Sequence, residues 1–426
     1  MKVLLIAANE EQINMPVLPV GLACVAAAAN EAGHEVLMID LMFSANGVAA
    51  LDDALETFRP ECIGISVRNI DDQNMAHPKF FLPEVRHILQ CCRESSPSPI
   101  VLGGAGYSIF PQAALDYLGA DFGIQGEGEY AFAALLACLG EKGDASGIPG
   151  VYLRSHAPSH PTRSFQNPSD LPLPLPDRHL PMPHCTEIPD LWVPFQSRRG
   201  CPMDCAYCST ATIEGHTLRG HNPVRAAATL SQYASAGWNQ LYFVDNTFNL
   251  PGGYAAALCR EIMRARLNLN WRCILYPWKV DDTLADAMAM AGCTELSLGF
   301  ESGSRKILSQ MNKRYTPEDV RRISQILTKH GIRQTGFLLF GGPGETMETV
   351  EESLDFADSL DLDAIQVTVG IRIYPHTRLA QTAVAEGILQ PDDDLLFPRF
   401  YMVKGLEEPL RKRVADWAQP RPHCIM

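Results

Sequence analysis

Short, almost continuous apolar runs alternate with helix-length segments through the first third of the chain. The runs lie at residues 3–7, 36–39, 62–67, 100–102 and 122–124, and the first helical segment spans 21–32. Strands that are apolar throughout are covered on both faces, as in a parallel sheet. The pattern therefore predicts an α/β domain with a doubly wound parallel sheet, whose ligands bind at the carboxyl ends of the strands.

A second series of strands and helices begins near residue 192. Its apolar runs lie at 193–197, 241–244, 271–275, 296–300, 334–340 and 365–373, and helical segments lie at 224–236, 253–266, 317–330 and 349–360. Six βα units are too few for a closed eight-stranded barrel, so we predict an open, partial (β/α)6 barrel. Its site should lie on the loops that follow the strands.

Proline marks the junction between the two series. Residues 167–177 contain four prolines in 11 residues, which excludes a helix or an interior strand and predicts a semi-rigid connector. The predicted domains are thus 1–150 (first α/β domain), 151–190 (linker), 191–390 (partial barrel) and 391–426 (short C-terminal segment).

Composition excludes several classes of partner. The net charge of −14 disfavours nucleic acid, because neutralising phosphates requires clustered Lys and Arg. The longest apolar stretch, 17–29, is too short to span a bilayer, and the first residues lack the features of a signal peptide. We expect a cytoplasmic protein with neither a nucleic-acid nor a membrane partner.

Three cysteines form the strongest chemical motif. Cys201, Cys205 and Cys208 have the spacing C-x3-C-x2-C, which suits three ligands of a [4Fe–4S] cluster and leaves one iron open for a substrate or cofactor. A zinc site with His216 or His221 as fourth ligand is the alternative. The odd total of 13 cysteines disfavours a disulfide framework.

Polar groups and glycines follow the later strands of the second series. They are Asp245 and Asn246, Glu301, Gly342 within the glycine-rich turn 341–345, and Tyr374. Each alone could be a helix cap or an ordinary surface group. Their shared position after successive strands predicts one site on the rim of the barrel.

The run from Arg199 to Cys208 resembles the signature of the radical S-adenosylmethionine (radical SAM) superfamily. The resemblance implies that the open iron binds the amino and carboxylate groups of SAM. It places Tyr207 beside the adenine, Asp245 or Asn246 at the methionine amino group, Glu301 at the ribose, and Gly342 and Tyr374 among the SAM contacts. The usual Gly-Gly-Glu after the second strand is absent here.

The first domain resembles the Rossmann-like cobalamin-binding domain of B12-dependent radical SAM enzymes, on residues 19–22 and 32–37. The resemblance implies cobalamin contacts from Ser66, Arg68, Gly103, Gly104, Gly126 and Glu127.

The loop at 9–16 lacks the Asp-x-His-x-x-Gly of other cobalamin domains, whose histidine binds cobalt. We expect cobalt to have no protein ligand below, with Arg68 blocking or hydrating that face. The alternative is a structural pair of Arg68 with Asp71 or Asp72.

The two resemblances together imply a methyltransferase. One SAM methylates cobalamin, a second yields a 5′-deoxyadenosyl radical at the cluster, and an unactivated carbon receives the methyl group from methylcobalamin. The alternatives are a cyclisation or rearrangement enzyme with the same cofactors, or a non-catalytic cobalamin or redox sensor. Expected partners are a small-molecule, peptide or carrier-bound substrate and an external reductant of the flavodoxin or ferredoxin type.

Overall fold

The computed structural model describes residues 1–11, 16–44, 47–154, 165–176, 178–180 and 191–425. The chain forms two compact units, and both are discontinuous in sequence. Unit 1 comprises Met1–Asp72, Lys79–Pro194 and Thr210–His221, and unit 2 comprises Gln73–Pro78, Phe195–Ser209 and Asn222–Met426. Elements below are numbered in chain order.

Unit 1 is built on a six-stranded sheet of order β2-β1-β3-β4-β5-β6. Its strands are β1 Lys2–Ala7, β2 Glu35–Asp40, β3 Cys62–Ser66, β4 Ile100–Gly103, β5 Phe122–Ile124 and β6 Val151–Leu153. Its larger helices are α1 Val20–Glu31, α2 Gly47–Phe58, α3 Leu82–Ser95, α4 Ala105–Ile109, α5 Pro111–Leu118 and α6 Gly128–Glu141. Strands β1 to β5 pair in parallel and β6 is antiparallel to β5. Helix α7 (Thr210–Glu214) also belongs to this unit and packs against α4.

The strand order reverses between β1 and β3, which is where doubly wound sheets bind ligands. At the carboxyl edge, Ala7 pairs with Asp40 on one side and with Ser66 on the other, and Ser66 pairs with Gly103. These residues therefore form one row at the edge where the loops after β2, β3 and β4 begin.

Unit 2 contains the partial barrel, with strands in the order β17-β14-β13-β12-β11-β10-β7. The strands from residue 193 onward are β7 Val193–Phe195, β8 Arg198–Arg199, β9 Arg219–Gly220, β10 Gln240–Phe243, β11 Asn270–Leu275, β12 Cys293–Glu301, β13 Arg333–Phe340, β14 Ala364–Val369, β15 Ile371–Arg372, β16 Phe400–Tyr401 and β17 Cys424–Ile425. Of these, β9 belongs to unit 1. The helices are α8 Pro223–Ser235, α9 Gly252–Arg264, α10 Asp282–Met290, α11 Arg305–Gln310, α12 Pro317–Lys329, α13 Met347–Asp358, α14 Arg378–Ala385 and α15 Glu407–Ala418.

The predicted fold class is confirmed: a doubly wound α/β domain precedes a partial βα barrel. The prediction missed the seventh strand, because β17 has only two residues and follows α15 in the short C-terminal segment. The domain boundaries at 150, 190 and 390 stay a prediction. Among the described residues, no helix has the length and apolar character needed to cross a membrane.

Candidate active site

The three motif cysteines lie on the loop that follows β8. Gly200 has φ of 86°, a left-handed conformation that favours glycine and turns the chain into this loop. Cys201 is buried, Cys205 is half-buried and Cys208 is exposed. The amide of Cys208 donates to the carbonyl of Cys205 at 3.2 Å, so these two residues share one turn.

Two later segments of unit 2 hold this loop in place. The amide of Ala206 donates to the carbonyl of Met311 at 3.0 Å, and the amide of Leu379 donates to the carbonyl of Ala206 at 2.9 Å. Arg378 forms an ion pair with Asp204. The backbone of the cysteine loop is thus fixed at its centre.

The donor chemistry of the loop fits an iron–sulfur cluster, since all three cysteines are free thiols on one short segment. Within the described ranges, no three side chains of the types His, Cys, Asp or Glu come together in a metal-binding group. Convergence of the three thiols is therefore a prediction for the cluster-loaded protein. Burial raises the pKa of Cys205, and the ammonium of Lys313 opposes that shift.

Lys313 is the central charged group beside this loop. Its side chain is 5% exposed, and its Nζ donates to Glu301 Oε1 at 3.1 Å and to the Tyr207 hydroxyl at 2.9 Å. The same nitrogen lies 5.1 Å from the ring centroid of Tyr207 and 6.0 Å from those of Tyr276 and Tyr315. Burial opposes the charge, but Glu301 and the tyrosines outweigh it and raise the pKa of Lys313 well above its usual value.

Glu301 has a left-handed backbone, with φ of 62° at the end of β12. A residue other than glycine is strained in the left-handed region, and such strain is concentrated at functional sites. The following amide, Ser302 N, donates to the Phe300 carbonyl at 2.7 Å and closes a tight turn. The turn presents the Glu301 carboxylate to Lys313.

Asp245 is 1% exposed, and its carboxylate is committed within the protein. Oδ1 accepts from the amides of Ser197 at 2.7 Å and Arg198 at 3.0 Å. Oδ2 accepts from Ser197 Oγ at 2.5 Å and Arg198 Nε at 3.3 Å. The neighbouring Asn246 is half-buried.

The glycine-rich turn after β13 is stabilised by its own glutamate. Glu345 is 3% exposed and accepts hydrogen bonds from the amides of Gly341 and Gly342, while its Oε1 has no partner among the described residues. Burial raises the pKa of Glu345 to about 7, against the opposing effect of those backbone bonds. Tyr374 is half-buried, and its ring lies 5.3 Å from the Arg372 guanidinium carbon.

At the carboxyl edge of unit 1, Gly104 has φ of 102°, and a Cβ there would lie 2.6 Å from the Val67 carbonyl oxygen. This glycine therefore lets the loop after β4 pack on the loop after β3, a packing role in addition to the predicted cofactor contact. A Cβ at Gly103 would meet nothing within 4 Å. Ser66 is half-buried and Arg68 is exposed beside it.

Asp40 completes this edge, although the sequence did not single it out. It is 8% exposed, its Oδ1 accepts from the Met42 amide at 3.1 Å, and its Oδ2 has no partner among the described residues. Burial raises the pKa of Asp40 to about 7, opposed by the Met42 bond and by the charge of Arg68. Residues 12–15 of the predicted cobalt-facing loop lie outside the described residues.

Glu127 has partners within unit 1. Its Oε1 accepts from Arg219 Nη1 at 2.6 Å and its Oε2 from the Gln166 amide at 3.0 Å, and the two charged side chains are 6% and 13% exposed. The amide of Gly126 donates to Ser108 Oγ at 2.9 Å. Glu127 thus ties the linker and the segment after α7 to the first α/β domain.

The structure brings Cys205, Tyr207 and Glu301 together around Lys313 and pairs Asp245 with Arg198. The sequence reasoning missed Lys313, Arg198 and Asp40. Lys313 lies 12 residues after Glu301 beside another basic residue, Arg314, and nothing in the sequence indicates which of the two is buried.

Comparison with known families gives two matches that follow the two halves of the chain. Residues 11–136 match the B12 binding domain, and residues 196–357 match the radical SAM superfamily.

Similar proteins extend over most of the chain. An uncharacterised methyltransferase of Pyrococcus horikoshii is 28% identical over 379 residues, which cover 87% of this chain and 79% of that protein. The tryptophan 2-C-methyltransferase of Streptomyces laurentii is 24% identical over 441 residues, covering 88% of this chain and 73% of that protein.

Among solved structures, the radical SAM methyltransferase TsrM from Kitasatospora setae, with cobalamin and a [4Fe–4S] cluster bound, superimposes with a TM-score of 0.82. The two are 26% identical, and the match covers 90% of this chain and 78% of TsrM. TsrM has also been solved with tryptophan and a SAM analogue, with a TM-score of 0.81.

The fold and the matched families define a radical SAM barrel joined to a cobalamin-binding domain. The chain belongs to the cobalamin-dependent radical SAM methyltransferases. Its cofactors are a [4Fe–4S] cluster, SAM and cobalamin. The predicted family, enzyme class and cofactors are confirmed, and the residues that bind the cofactors stay a prediction.

Proposed function

We propose that Cys201, Cys205 and Cys208 hold the cluster and that SAM binds beside it in contact with Tyr207, Glu301 and Lys313. The observation that carries this proposal is the buried ammonium of Lys313, which lies next to Cys205, Tyr207 and Glu301. A buried cation at an iron–sulfur loop complements an anionic ligand, and SAM offers a carboxylate. Glu301 is an acceptor suited to a ribose hydroxyl.

Further contacts with SAM are proposed from Asn246, Gly342 and Tyr374. The turn at Gly342 brings the backbone to the rim of the barrel. A Cβ added at Gly342 would lie 3.0 Å from Ile371 Cδ1, so there is little room for a larger residue. Asp245 is not assigned to SAM, because its carboxylate is bonded to Ser197 and Arg198.

On unit 1 we propose that cobalamin binds at the carboxyl edge near Ser66, Arg68, Gly103 and Gly104. The unpartnered Asp40 Oδ2 fits this group, because the carboxamide side chains of a corrin are hydrogen-bond donors. Arg68 is exposed at the same edge and stays protonated, which makes it a poor cobalt ligand and suits it to cover or hydrate the lower face. An Arg68→Ala variant with an unaltered cob(II)alamin EPR spectrum would contradict this assignment.

When bound, the cluster delivers an electron to SAM and cobalamin carries the methyl group. The chain's residues bind and orient these groups: the cysteine loop is fixed by Met311 and Leu379, and Lys313 holds Tyr207 and Glu301 in place. We propose that the acceptor is a carbon of a small organic molecule, since TsrM was solved with tryptophan. A flavodoxin- or ferredoxin-type reductant and a cytoplasmic, thiol-preserving compartment are part of this proposal.

The test is anaerobic reconstitution of the full chain with iron, sulfide and cobalamin, followed by incubation with methyl-deuterated SAM and candidate substrates, tryptophan first. We expect a product heavier by one labelled methyl group, detected by mass spectrometry. A product of unchanged carbon count would favour cyclisation or rearrangement instead. Failure of the reduced protein to consume SAM would favour a non-catalytic sensor.

Cysteine variants provide the matched control. Cys208→Ala should lose cluster absorption and SAM turnover, whereas Cys91→Ala, a partly exposed cysteine of unit 1, should retain both. Equal iron and sulfide content in the two variants would contradict the proposed cluster site.

A further inference from the structure

We propose that Asp245 is a positioning residue, which fixes the segment Ser197–Arg198 from which the cysteine loop departs, and that it does not contact SAM. The inference rests on the proposed cluster site in assigning the loop its function. It departs from the sequence resemblance, which placed Asp245 or Asn246 at the amino group of SAM.

The hydrogen-bonding capacity of the Asp245 carboxylate is used within the protein. An ionised carboxylate has two oxygens with about four lone-pair sites. Asp245 already accepts four hydrogen bonds, two at each oxygen, from Ser197 and Arg198 at 2.5–3.3 Å. With Asp245 1% exposed and Ser197 fully buried, no acceptor site remains for an ammonium ligand.

Arg198 is also bound to the loop after β10. Its side chain is 2% exposed and, besides Asp245, it donates through Nη1 to the Leu250 carbonyl at 2.6 Å and through Nη2 to the Phe248 carbonyl. The guanidinium carbon lies 4.4 Å from the Tyr254 ring centroid. The Asp245–Arg198 pair therefore joins the start of the cysteine loop to the loop after β10.

A third side chain extends the connection around the rim. Asn249 is fully buried; its Nδ2 donates to the carbonyls of Tyr276 at 2.9 Å and Trp278 at 2.8 Å, and its Oδ1 accepts from the Tyr276 amide at 3.0 Å. The Tyr276 hydroxyl accepts from the Arg314 amide at 3.0 Å, directly after Lys313. Buried and satisfied polar side chains thus link the loops after β8, β10, β11 and α11.

Such a network rigidifies the backbone that carries the ligands, as outer-shell partners do at other metal sites. Asp245 acts through Ser197 and Arg198, which lie four and three residues before Cys201. Removing its charge should disturb the cysteine loop before any SAM is added.

The test compares Asp245→Asn with the wild-type full chain after anaerobic reconstitution. We expect the EPR spectrum of the reduced cluster to change in the absence of SAM, and turnover to fall about 10-fold or more, the range for outer-shell partners of metal ligands. Asp281→Asn is the matched control, because Asp281 is an exposed helix cap of α10 and should leave the spectrum unaltered. A wild-type SAM-free spectrum combined with lost SAM affinity would show that Asp245 contacts SAM and overturn the proposal.

A second variant, measured by amide hydrogen exchange, tests the positioning role if Asp245→Asn fails to fold or if the chain binds no cluster. Ser197→Ala removes one hydroxyl of the network and leaves the ion pair. Amide hydrogen exchange of a peptide spanning 196–208 should be faster in this variant than in the wild type, with or without cluster. Unaltered exchange in Ser197→Ala would overturn the positioning role. If only the proposed cluster site is wrong, Ser197→Ala will still exchange faster than the wild type, and the wild type will give no EPR signal of a reduced cluster.

Discussion

Lys313 and Glu301 form a buried ion pair with 3.1 Å between Nζ and Oε1, and the same ammonium donates to the Tyr207 hydroxyl. Through these two contacts Lys313 joins the turn after β12 to Tyr207 of the cysteine loop, so one cation organises groups from separate loops. A strained backbone at Glu301 accompanies it. This relationship gives the candidate site its most specific mutational test.

Lys313→Met should weaken SAM binding about 10- to 100-fold, because a hydrogen bond to a charged group contributes about 1.5–3 kcal/mol. Lys313→Arg keeps the charge and should retain more of the affinity. Equilibrium dialysis of reconstituted protein against SAM provides the measurement. Lys329→Met, which removes an exposed lysine paired with Asp282, is the control and should bind SAM as the wild type does.

The Glu127–Arg219 pair distinguishes a structural role from a cofactor contact. Arg219→Gln leaves a buried carboxylate without its cation and should lower the stability of unit 1 by about 3 kcal/mol. Thermal unfolding measures this loss, and Arg264→Gln, from an exposed pair with Glu261, should have little effect. If Glu127 instead contacts cobalamin, Arg219→Gln will lower the affinity for cobalamin and leave the melting temperature unaltered.

Asp40 provides a test of the cobalamin edge. Asp40→Asn keeps an oxygen to accept from the Met42 amide and replaces one carboxylate oxygen with an amide donor. We expect cobalamin binding to weaken about 10-fold or more, since a hydrogen bond to a charged group contributes about 1.5–3 kcal/mol. Absorption titration with hydroxocobalamin at about pH 8, where the raised pKa of about 7 leaves Asp40 mostly ionised, is the measurement.

Asp144→Asn is the matched control for this experiment. Asp40 caps the 3-10 helix Leu41–Phe43. Asp144 likewise caps a three-residue 3-10 helix and accepts from the Ser146 amide at 2.9 Å, but it is exposed. Equal cobalamin affinities of the two variants would remove Asp40 from the site.

The burial of Glu345 predicts that the stability of the folded protein depends on pH. Its pKa of about 7 in the folded protein lies above the value of 4.5 for an exposed glutamate, so the folded state holds the proton more tightly. The resulting stabilisation is present below about pH 4.5 and is lost as the pH rises through 7, a total of about 3 kcal/mol at about 1.4 kcal/mol per pH unit.

Glu345→Gln lacks this titration, so its free energy of unfolding relative to the wild type should rise between about pH 5 and pH 8. Urea unfolding across that pH range measures the difference. Glu348→Gln, which changes an exposed glutamate three residues later in the first turn of α13, should follow the wild type at every pH. A constant difference between Glu345→Gln and the wild type would contradict the burial-driven shift.

The strands of both units could be predicted because each is a short apolar run whose burial is encoded locally. The runs 3–7 and 334–340 reappear as β1 (Lys2–Ala7) and β13 (Arg333–Phe340), within one residue at either end. Strand β17 carries no such signal, since two residues contain no hydrophobic period. Its position depends on pairing with Ile365 and Gln366, far away in the sequence.

The types of residue at the site could also be predicted from the sequence, whereas the residues that pair with them could not. Asp245 and Arg198 are 47 residues apart, and only the fold decides that the carboxylate faces the arginine. Glu127 similarly finds Arg219 at a separation of 92 residues. Ion pairs formed over such distances have no local pattern in sequence, so an acidic residue after a strand can equally be a ligand or a structural anchor.

The interleaving of the two units limits how the enzyme can be divided or recombined. Residues 210–221 follow the third cysteine immediately, yet they belong with the cobalamin-binding unit, and residues 73–78 of the first half belong with the barrel. A fragment ending at residue 150 would lose Arg219 and Gln166 and expose the Glu127 carboxylate. Exchange of cofactor modules between relatives therefore requires chimeras with several crossovers rather than one cut in the proline-rich linker.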